Sequence, residues 1–577
     1  MFFKVLDVIK RPRPRPWTSS RGHQTSTALG SGAYPVQQRQ STNQRVELSS
    51  EEERYENYIT EYITKVSKGL IPKLSFYRFL NPANRMISNN TLLNHFLSRI
   101  PFMLGEANKV SAIDISNLNL GNEGLNKLAE GLNEAKSVNG IVEVNISGNN
   151  SQFMQTNLPK VLNDKMKNIQ ILELGNNNIS ENAHSTDPTK KPLGLDFVQF
   201  LKEMSELQNI HLNNASLNKD DMIDLFAEYL ENAQNIKTLN IANNDLNDKQ
   251  LAKILRAISN RNMKALDFSG NEFGEASNNA LKDVLQKSAS TLKSLRAQGV
   301  IREVKVDNNL ITDSLFYAQS PKKDLKVKLP ALIELDLSGN HIKDSDIKPL
   351  IEKLVFSSLK KLILDNNLLT LNAVMILGNL SPILRVENYI EFSLHNIRSL
   401  DGYPDMLGKI QANWQPNWNY TFDLSNNNFN KNDLLSMLWE CGIGFSKNFM
   451  LRNTKLYFKL DGCNMESKFA SEALRHLQGV PQPQNPCKIT VDFGGGYTPE
   501  DANNMTLSSY KNQYVPGNLL VDLIASPKQP DISYDIPAAP IEKNENIASN
   551  TLKPGLFSVI YSWFAHTEDR GQGRAKE

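Results

Sequence analysis

The stretch LIELDLSGNHI, residues Leu332–Ile342, decides the fold because its apolar residues stand at places one, four, six and eleven. Leu335 and Leu337, at places four and six, predict a short strand with one buried face, since successive side chains of a strand point to opposite sides. Asn340 stands at place nine, where the chain leaves this strand. The stretch therefore predicts a buried strand followed by a polar turn.

Copies of this pattern follow one another at intervals of 27 to 38 residues. The predicted first places are Val110, Ile141, Ile169, Leu207, Ile236, Met263, Ile301, Leu332 and Leu359, with less regular copies near Tyr389, Asn419, Lys455 and Lys488. After place eleven, apolar residues return at helical spacing, as in Leu251, Ile254, Leu255 and Ile258. Each unit is therefore predicted to be a strand followed by a helix.

Eight copies carry an Asn at place nine. These residues are Asn149, Asn177, Asn244, Asn271, Asn309, Asn340, Asn367 and Asn427. An Asn side chain both donates and accepts hydrogen bonds, so it can satisfy backbone groups that stacking of the repeats would otherwise bury unpaired. We predict a structural ladder of asparagines with no catalytic role.

The pattern LxxLxLxxNxL plus an amphipathic helix, in a unit of about 28 residues, resembles the leucine-rich repeats of the ribonuclease-inhibitor-like subfamily. The resemblance covers residues 109–500 as about 11 to 13 units. It implies an α/β fold, a curved horseshoe-shaped solenoid with parallel strands on the concave face and helices on the convex face. Place nine departs from Asn at Leu118, Ala215, Ile397 and Gly496, and the copies after residue 389 are less regular.

The segments outside the repeats differ in composition. Residues 1–49 carry eight basic residues against two acidic ones, with RPRPRP, and predict a disordered basic arm; an organellar transit peptide is the alternative. Residues 50–108 predict a helical N-terminal cap, beginning at a capping-box spacing of Ser50 and Glu53. Residues 501–577 predict a C-terminal cap or linker and a tail. A short amphipathic helix near 555–564 would cap the last repeat, dock into a partner or touch a membrane.

The predicted concave face consists of places three, five and seven, since places four and six are buried. These places hold thirteen acidic residues against three lysines. The candidate partner-binding residues are Glu143, Glu173, His211, Asp267, Glu303, Asp307, Glu334, Asp336, Asp365, Asp423 and Asp461. A concave surface of one charge sign favours an oppositely charged ligand, here a basic protein surface, and disfavours nucleic acid. The alternative is that Asp at place five belongs to the repeat pattern without any ligand.

Few other function classes fit the composition. The three cysteines show no paired spacing, which favours a reducing compartment such as the cytoplasm and predicts no zinc site. The longest apolar run near a terminus, in residues 555–564, has ten residues, half of the roughly 20 that a membrane-spanning helix requires. Motifs for phosphate loops, zinc proteases and nucleophilic serines are absent from the sequence, so no cofactor or metal is expected.

The sequence thus predicts a non-catalytic scaffold that binds a partner protein. One alternative is a GTPase-activating protein, by resemblance to a nuclear-transport activator with the same repeats. Another is a cysteine-dependent ubiquitin ligase such as some bacterial effectors carry, and a third is a membrane-associated adaptor. The polar termini around Asn-rich repeats also resemble secreted effectors of intracellular bacteria, which would place the protein in a host cytosol.

Overall fold

The computed structural model describes residues 50–76, 90–105, 109–179, 194–299, 327–356, 358–380, 389–398, 414–448, 450–463, 469–494, 513–514 and 518–524. The chain divides into two compact units, Met1–Glu53 and Arg54–Glu577. In the first unit only residues 50–53, the start of the first helix, are described. The predicted arm and the predicted tail helix near 555–564 lie outside the described residues.

The second unit is organised around short strands separated by long intervals of sequence. The described strands are β1 Lys73–Ser75, β2 Ala112–Asp114, β3 Glu143–Asn145, β4 Ile171–Glu173, β5 Asn209–His211, β6 Thr238–Asn240, β7 Ala265–Asp267, β8 Ser294–Arg296, β9 Val327–Leu329, β10 Glu334–Asp336, β11 Leu354–Phe356, β12 Lys361–Ile363, β13 Tyr389–Ser393, β14 Asn419–Asp423, β15 Thr454–Lys459, β16 Cys487–Asp492, β17 Gln513–Tyr514 and β18 Leu519–Ile524. β9 and β11 pair with each other in a separate parallel sheet. The other 16 strands form one open sheet.

In this large sheet the strands lie side by side in chain order, and all are parallel except β17, which runs antiparallel to β18. A parallel neighbour requires a crossover connection, and helices supply most of the crossovers here. The described helices are α1 Ser50–Ser67, α2 Asn90–Met103, α3 Gly121–Glu134, α4 Leu158–Lys165, α5 Leu195–Lys202, α6 Asp220–Asn232, α7 Asp248–Ala257, α8 Glu275–Ser288, α9 Asp344–Lys353, α10 Asn372–Leu380, α11 Lys431–Lys447 and α12 Phe469–Gln478. This is the predicted repeating unit of strand and helix.

The two layers differ in their natural spacing. Neighbouring strands lie about 4.8 Å apart, whereas packed helices lie about 8–10 Å apart. Because each unit contributes one strand to the sheet and most units one helix to the other layer, the helix layer is longer and the array bends. The fold is therefore a leucine-rich-repeat type of solenoid with the sheet on its concave side, which confirms the predicted fold class.

The hydrophobic core lies between the sheet and the helices. Leu239 and Ile241 of one repeat and Leu266 and Phe268 of the next, at places four and six, are all at most 1% exposed. Burying an aliphatic side chain of this size stabilises the fold by about 1.5–3 kcal/mol. The alternation at places four and six therefore identifies the inward face of the strands, as predicted.

The sheet extends beyond both ends of the predicted repeats. β1 lies within the segment predicted as a helical cap and pairs in parallel with β2. β18 lies beyond residue 500 and pairs in parallel with β16. Three residues, as in β1, are too few to show an alternating pattern, and LLVDLI of β18 lacks the Asn that marks most repeats. Both strands were therefore missed. No helix among the described residues is long and apolar enough to cross a bilayer.

One repeat lies elsewhere than the sequence predicted. β8 pairs with β7 on one side and with β10 on the other, so Ser294–Arg296 occupies the position predicted for a strand of the repeat beginning at Ile301. The predicted copy appeared better because Asn309 fits place nine, whereas the β8 repeat, which begins at Leu292, has no Asn there. Glu303, Asp307 and Asn309, which the predicted copy assigned to this rung, lie outside the described parts of the chain.

Candidate partner-binding face

A residue with left-handed backbone follows each strand of the large sheet from β2 to β15. At place eight the backbone has φ between 51° and 72°, a region that Gly and Asn adopt far more readily than other residues. These residues are Asn117, Gly148, Asn176, Asn214, Asn243, Gly270, Gly299, Gly339, Asn366, Asn396, Asn426 and Gly462. Asn or Gly recurs at place eight, but the register predicted from Ile301 also has an Asn there, Asn308, so this regularity does not distinguish it from the β8 register with Gly299.

The asparagines at place nine are buried and bonded to the backbone of two repeats. Nδ2 of Asn271 donates to the carbonyls of Ile241, 3.0 Å away, and Phe268, 2.9 Å away. Its Oδ1 accepts from the backbone N–H groups of Asn244 and Leu246. The described members of the predicted ladder, Asn149, Asn177, Asn244, Asn271, Asn340, Asn367 and Asn427, are each at most 4% exposed. Each connects the turn of its own repeat to the preceding one, so this ladder fixes the geometry of the sheet.

The acidic residues at place five also bond to their own turns. Oδ1 of Asp267 accepts from the N–H of Ser269 at 3.1 Å, and Oδ1 of Asp336 accepts from the N–H of Ser338 at the same distance. Asn145 and Asn240 make the equivalent bond. A short acceptor two residues before a turn N–H is the ordinary Asx arrangement, which explains the preference for Asp or Asn at place five.

Five of the nine predicted contact residues that the structure describes are buried. The exposed fraction is 3% for His211, 6% for Asp267, 8% for Glu334, 1% for Asp336 and 8% for Asp423. The prediction that these side chains are open to a partner is therefore wrong. Strands about 4.8 Å apart leave little room between neighbouring side chains, and each Asp turns back to its own backbone. The partly exposed candidates among the described residues are Glu143, Glu173, Asp365 and Asp461.

Cations pair with the acids at the N-terminal end of the sheet. Nζ of Lys73 on β1 lies 2.9 Å from Oε1 of Glu143 and 3.2 Å from Oδ2 of Asp114. Burial alone would lower the pKa of Lys73, but the two carboxylates together raise it. Lys73 was assigned to the cap in the sequence, so its contribution to the charge of this face was missed.

A second pair lies in the middle of the sheet. The guanidinium of Arg296 on β8 lies 3.3 Å from Oε1 of Glu334 on β10. Burial raises the pKa of Glu334, and Arg296 partly offsets this effect. Arg296 stands at place five of the β8 repeat, whereas the predicted register had put two acids, Glu303 and Asp307, at places three and seven of this rung.

The C-terminal strands carry a larger charge network. Nζ of Lys459 lies 3.3 Å from Oε1 of Glu391 and 3.5 Å from Oδ2 of Asp423. Lys361 lies 3.7 Å from the same oxygen of Glu391. His395 lies between Asp423 and Asp365, with N···O distances of 3.0 and 3.4 Å. His395 stands at place seven of its repeat. It was not among the predicted contact residues, in which His211 was the only histidine.

His211 is enclosed rather than poised for contact. Its Nδ1 lies 3.9 Å from Oε1 of Glu173, too far for a hydrogen bond. Burial lowers the pKa of His211 to about 4. The ring is therefore neutral at physiological pH, and this residue serves packing between strands rather than partner contact or proton transfer.

A row of lysines runs along the N-terminal edge of the strands at place two. Lys237, Lys264, Lys293 and Lys360 precede β6, β7, β8 and β12, and all four are partly exposed. Backbone bonds join them into one rung-to-rung series, in which Lys264 N–H donates to the Lys237 carbonyl and Lys293 N–H to the Lys264 carbonyl, both at 2.7 Å. We call these four residues the lysine row. The lysine row was not predicted, because the predicted face began at place three of each repeat and these lysines stand at place two.

Comparison with known proteins identifies the repeats. A model of the leucine-rich repeat family matches residues 329–350, which include the stretch Leu332–Ile342. The chain is a leucine-rich-repeat protein. Arrays of these repeats form extended surfaces that typically bind other proteins and carry no catalytic site of their own.

Individual proteins also resemble parts of this leucine-rich-repeat chain. The Rho GTPase-activating protein gacW of Dictyostelium discoideum is 26% identical over 245 residues, which is 40% of this chain and 19% of that protein. The chain therefore matches only about a fifth of the length of this relative. The crystal structure of the internalin inlF from Listeria monocytogenes str. 4b F2365 shows 14% identity and a TM-score of 0.29, covering 62% of this chain and 82% of the internalin chain.

The cysteines of this leucine-rich-repeat chain are unsuited to nucleophilic chemistry. All three, Cys441, Cys463 and Cys487, are buried. Burial raises the pKa of each thiol, to about 11 for Cys463. A reactive cysteine requires exposure and a lowered pKa. The alternative of a cysteine-dependent ubiquitin ligase therefore has no candidate nucleophile in this chain. Among the described residues, no group of three or more His, Cys, Asp or Glu residues could hold a metal ion.

Proposed function

We propose that this chain is a non-catalytic scaffold that holds a partner protein against the concave, sheet side of its repeats. The observation that carries the proposal is the uninterrupted series of fifteen parallel strands, whose outward places form one surface. Fourteen spacings of about 4.8 Å give a face roughly 67 Å long, and three-residue strands make it roughly 10 Å wide. The resulting area is close to the roughly 800 Å² that each partner buries in a standard interface.

The face is also rigid before a partner arrives. Asn271 makes four backbone bonds, and Asp336 bonds both the N–H and the hydroxyl of Ser338. Because these buried bonds fix the backbone of the strands and turns, little conformational entropy of the backbone is lost on binding.

The proposal of a basic partner now concerns a smaller part of the face. Glu143 on β3 and Glu173 on β4 are the partly exposed acids of the N-terminal strands, with 25% and 22% of their side chains exposed. A basic surface would contact these two residues. The proposed role as a secreted bacterial effector, with its host-cytosol location, rests only on composition, as does membrane contact by the segment near 555–564.

A photo-crosslinking experiment tests the scaffold proposal. A photoreactive amino acid replaces Gln170, a partly exposed residue that precedes β4 on the sheet side, and in a control variant it replaces Lys249, an exposed residue of α7 on the helix side. We expect a discrete adduct with one protein from a cell lysate at Gln170 and none at Lys249. Equal labelling at both positions, or labelling at Lys249 alone, would contradict binding on the sheet side.

The charge of the partner is tested with the same assay. Glu173→Gln in the Gln170 crosslinking variant removes one exposed acid from the face, and Glu228→Gln on α6 removes one exposed acid from the helix side. If the partner is basic, the yield of the adduct falls severalfold with Glu173→Gln at 150 mM salt and is unchanged with Glu228→Gln. An unchanged yield with both variants would exclude a basic contact at β4.

A GTPase regulator is the second candidate because the similar protein gacW is named as a Rho GTPase-activating protein. Activators of this kind commonly supply an arginine that stabilises the transition state of GTP hydrolysis. Arg398, after β13, and Arg452, before β15, are exposed and could do so. Single-turnover hydrolysis by a Rho-type GTPase should then accelerate about 10³-fold or more with the protein present, and less with Arg398→Ala or Arg452→Ala. An unchanged rate excludes this candidate for that GTPase.

A further inference from the structure

The edge of the sheet where the strands begin carries a charge pattern opposite to that of its interior. From β2 to β12, the backbone N–H at place two of each repeat donates to the carbonyl at place two of the preceding repeat. None of these residues is acidic. In order they are Ser111, Val142, Gln170, Gln208, Lys237, Lys264, Lys293, Ile333 and Lys360. The four lysines are thus concentrated in the middle of the array, on five consecutive rungs of the sheet.

The acids of the same rungs are less accessible than these lysines. Asp267, Glu334 and Asp336 lie at places three and five and are at most 8% exposed, whereas the lysine row is partly exposed. A partner approaching the middle of the sheet therefore meets positive charge first.

The positive edge extends to β15 among the C-terminal strands. Lys455 on β15 is exposed, whereas Lys488, opposite it on β16, is paired with Asp522 on β18. Tyr389 on β13 pairs with Asn419 on β14, and Asn419 pairs with Lys455 on β15. Tyr389 is 39% exposed, and this aromatic residue lies two strands away from Lys455. Tyrosine is a residue type that often anchors protein interfaces.

We propose that the lysine row is the docking strip for an acidic, extended segment of the partner protein. This inference rests on the proposed scaffold function and names the chemistry of its ligand. From Lys237 to Lys360 the row spans four strand spacings, about 19 Å. An extended chain advances about 3.3 Å per residue, so roughly six acidic residues cover the row.

The surroundings of the row favour a peptide over nucleic acid. Nucleic acid binds through many phosphate contacts to Lys and Arg. Glu334 at place three is next to the row along its strand, and Asp336 is about 10 Å from it, so a broad polyanion would face these acids as well. A single extended chain can follow the edge and contact the lysines alone.

Fluorescence anisotropy with a labelled twelve-residue polyglutamate tests the inference on the full chain. The row variant carries Lys237→Gln, Lys264→Gln, Lys293→Gln and Lys360→Gln. The control variant carries the same charge change on α7, α8 and α9, as Lys249→Gln, Lys282→Gln, Lys287→Gln and Lys348→Gln. A third variant has arginine at the four row positions, which keeps the charge. Circular dichroism melts verify that all variants fold.

We expect the peptide to bind the native chain with an affinity that falls as the salt concentration rises. The row variant should bind it at least tenfold more weakly. The control and arginine variants should bind it with an affinity within twofold of that of the native chain. Equal weakening in the row and control variants, or no binding to the native chain, would overturn the lysine row as a docking strip. Tighter, row-dependent binding of a twelve-nucleotide oligothymidylate would identify nucleic acid as the ligand instead. The crosslink at Gln170 tests the scaffold function independently of these results. If the crosslink forms, the scaffold function is supported whatever the peptide does; if it does not form, the scaffold function is contradicted even if the peptide binds.

Discussion

Nε2 of His395 lies 3.0 Å from Oδ1 of Asp423, while Nδ1 of the same ring lies 3.4 Å from Oδ2 of Asp365. A neutral imidazole donates from only one nitrogen, so only the imidazolium can satisfy both carboxylates. Burial lowers the pKa of His395, but the bond to Asp423 and the charges of Asp365 and Asp423 outweigh this effect and raise it. The same contact holds the pKa of Asp423 below its usual range, against the effect of burial.

This geometry makes the C-terminal strands more stable at mildly acidic pH. Because the pKa of His395 in the folded protein lies above its ordinary value of 6.5, its stabilisation is complete below about pH 6.5 and is lost as pH rises through the raised pKa. We expect His395→Gln to lower the free energy of unfolding by about 1 kcal/mol at pH 5.5 and by less at pH 8.5. Urea unfolding of both proteins at the two pH values measures this, and a difference independent of pH would contradict it.

His211 should respond to pH in the opposite direction. Burial lowers its pKa to about 4, so between pH 6.5 and 4 protons bind to the unfolded chain in preference to the folded one. Stability contributed by the neutral ring is therefore present above pH 6.5 and is lost as pH falls toward 4. Histidine-ring NMR titration should show the signal of His211 unchanged down to about pH 5, while that of His395 titrates above 6.5. A His211 signal that titrates near 6.5 would show that the ring is accessible to water.

The asparagine ladder should be costly to interrupt. Asn271→Ala removes an amide that serves two carbonyls and two N–H groups, and leaves them buried. We expect a loss of roughly 2–4 kcal/mol in the free energy of unfolding. Asn279→Ala, at an exposed position of α8, is the control and should change it by less than about 0.5 kcal/mol. Equal urea midpoints for the two variants would show that the ladder does not stabilise the sheet.

The left-handed turns offer a matched pair of glycines. Gly270 and Gly339 have φ of 69° and 67°, so an alanine at either is strained by about 1–2 kcal/mol. A Cβ at Gly270 would also collide with Oδ1 of Asn243, whereas at Gly339 its nearest neighbours are atoms of Gly299 at an ordinary 3.5 Å. We therefore expect Gly270→Ala to lower the melting temperature more than Gly339→Ala. The reverse order would mean that Asn243 moves aside without cost.

The sequence predicted the fold better than it predicted the face. The inward direction of Leu335 and Leu337 could be predicted because successive side chains of a strand alternate between its two faces. The buried side of the helices could be predicted in the same way from their period of 3.6 residues. The accessibility of Asp336 could not be predicted from that alternation, because it depends on the 4.8 Å spacing of the strands and on a bond back to Ser338. The charge partners of the face, such as Arg296 and Glu334, are separated by 38 residues and meet only through the register.

Alkylation of the three cysteines provides a test of the non-catalytic assignment. Cys441, Cys463 and Cys487 are all buried, and burial raises the pKa of each thiol. The thiolate is the reactive form, so we expect iodoacetamide at pH 7.5 to modify none of them in the native protein within an hour and all three in 8 M urea, as counted by mass spectrometry. Rapid modification of one cysteine in the native state would contradict this. It would reveal an accessible thiolate and restore the cysteine-dependent ligase as a candidate.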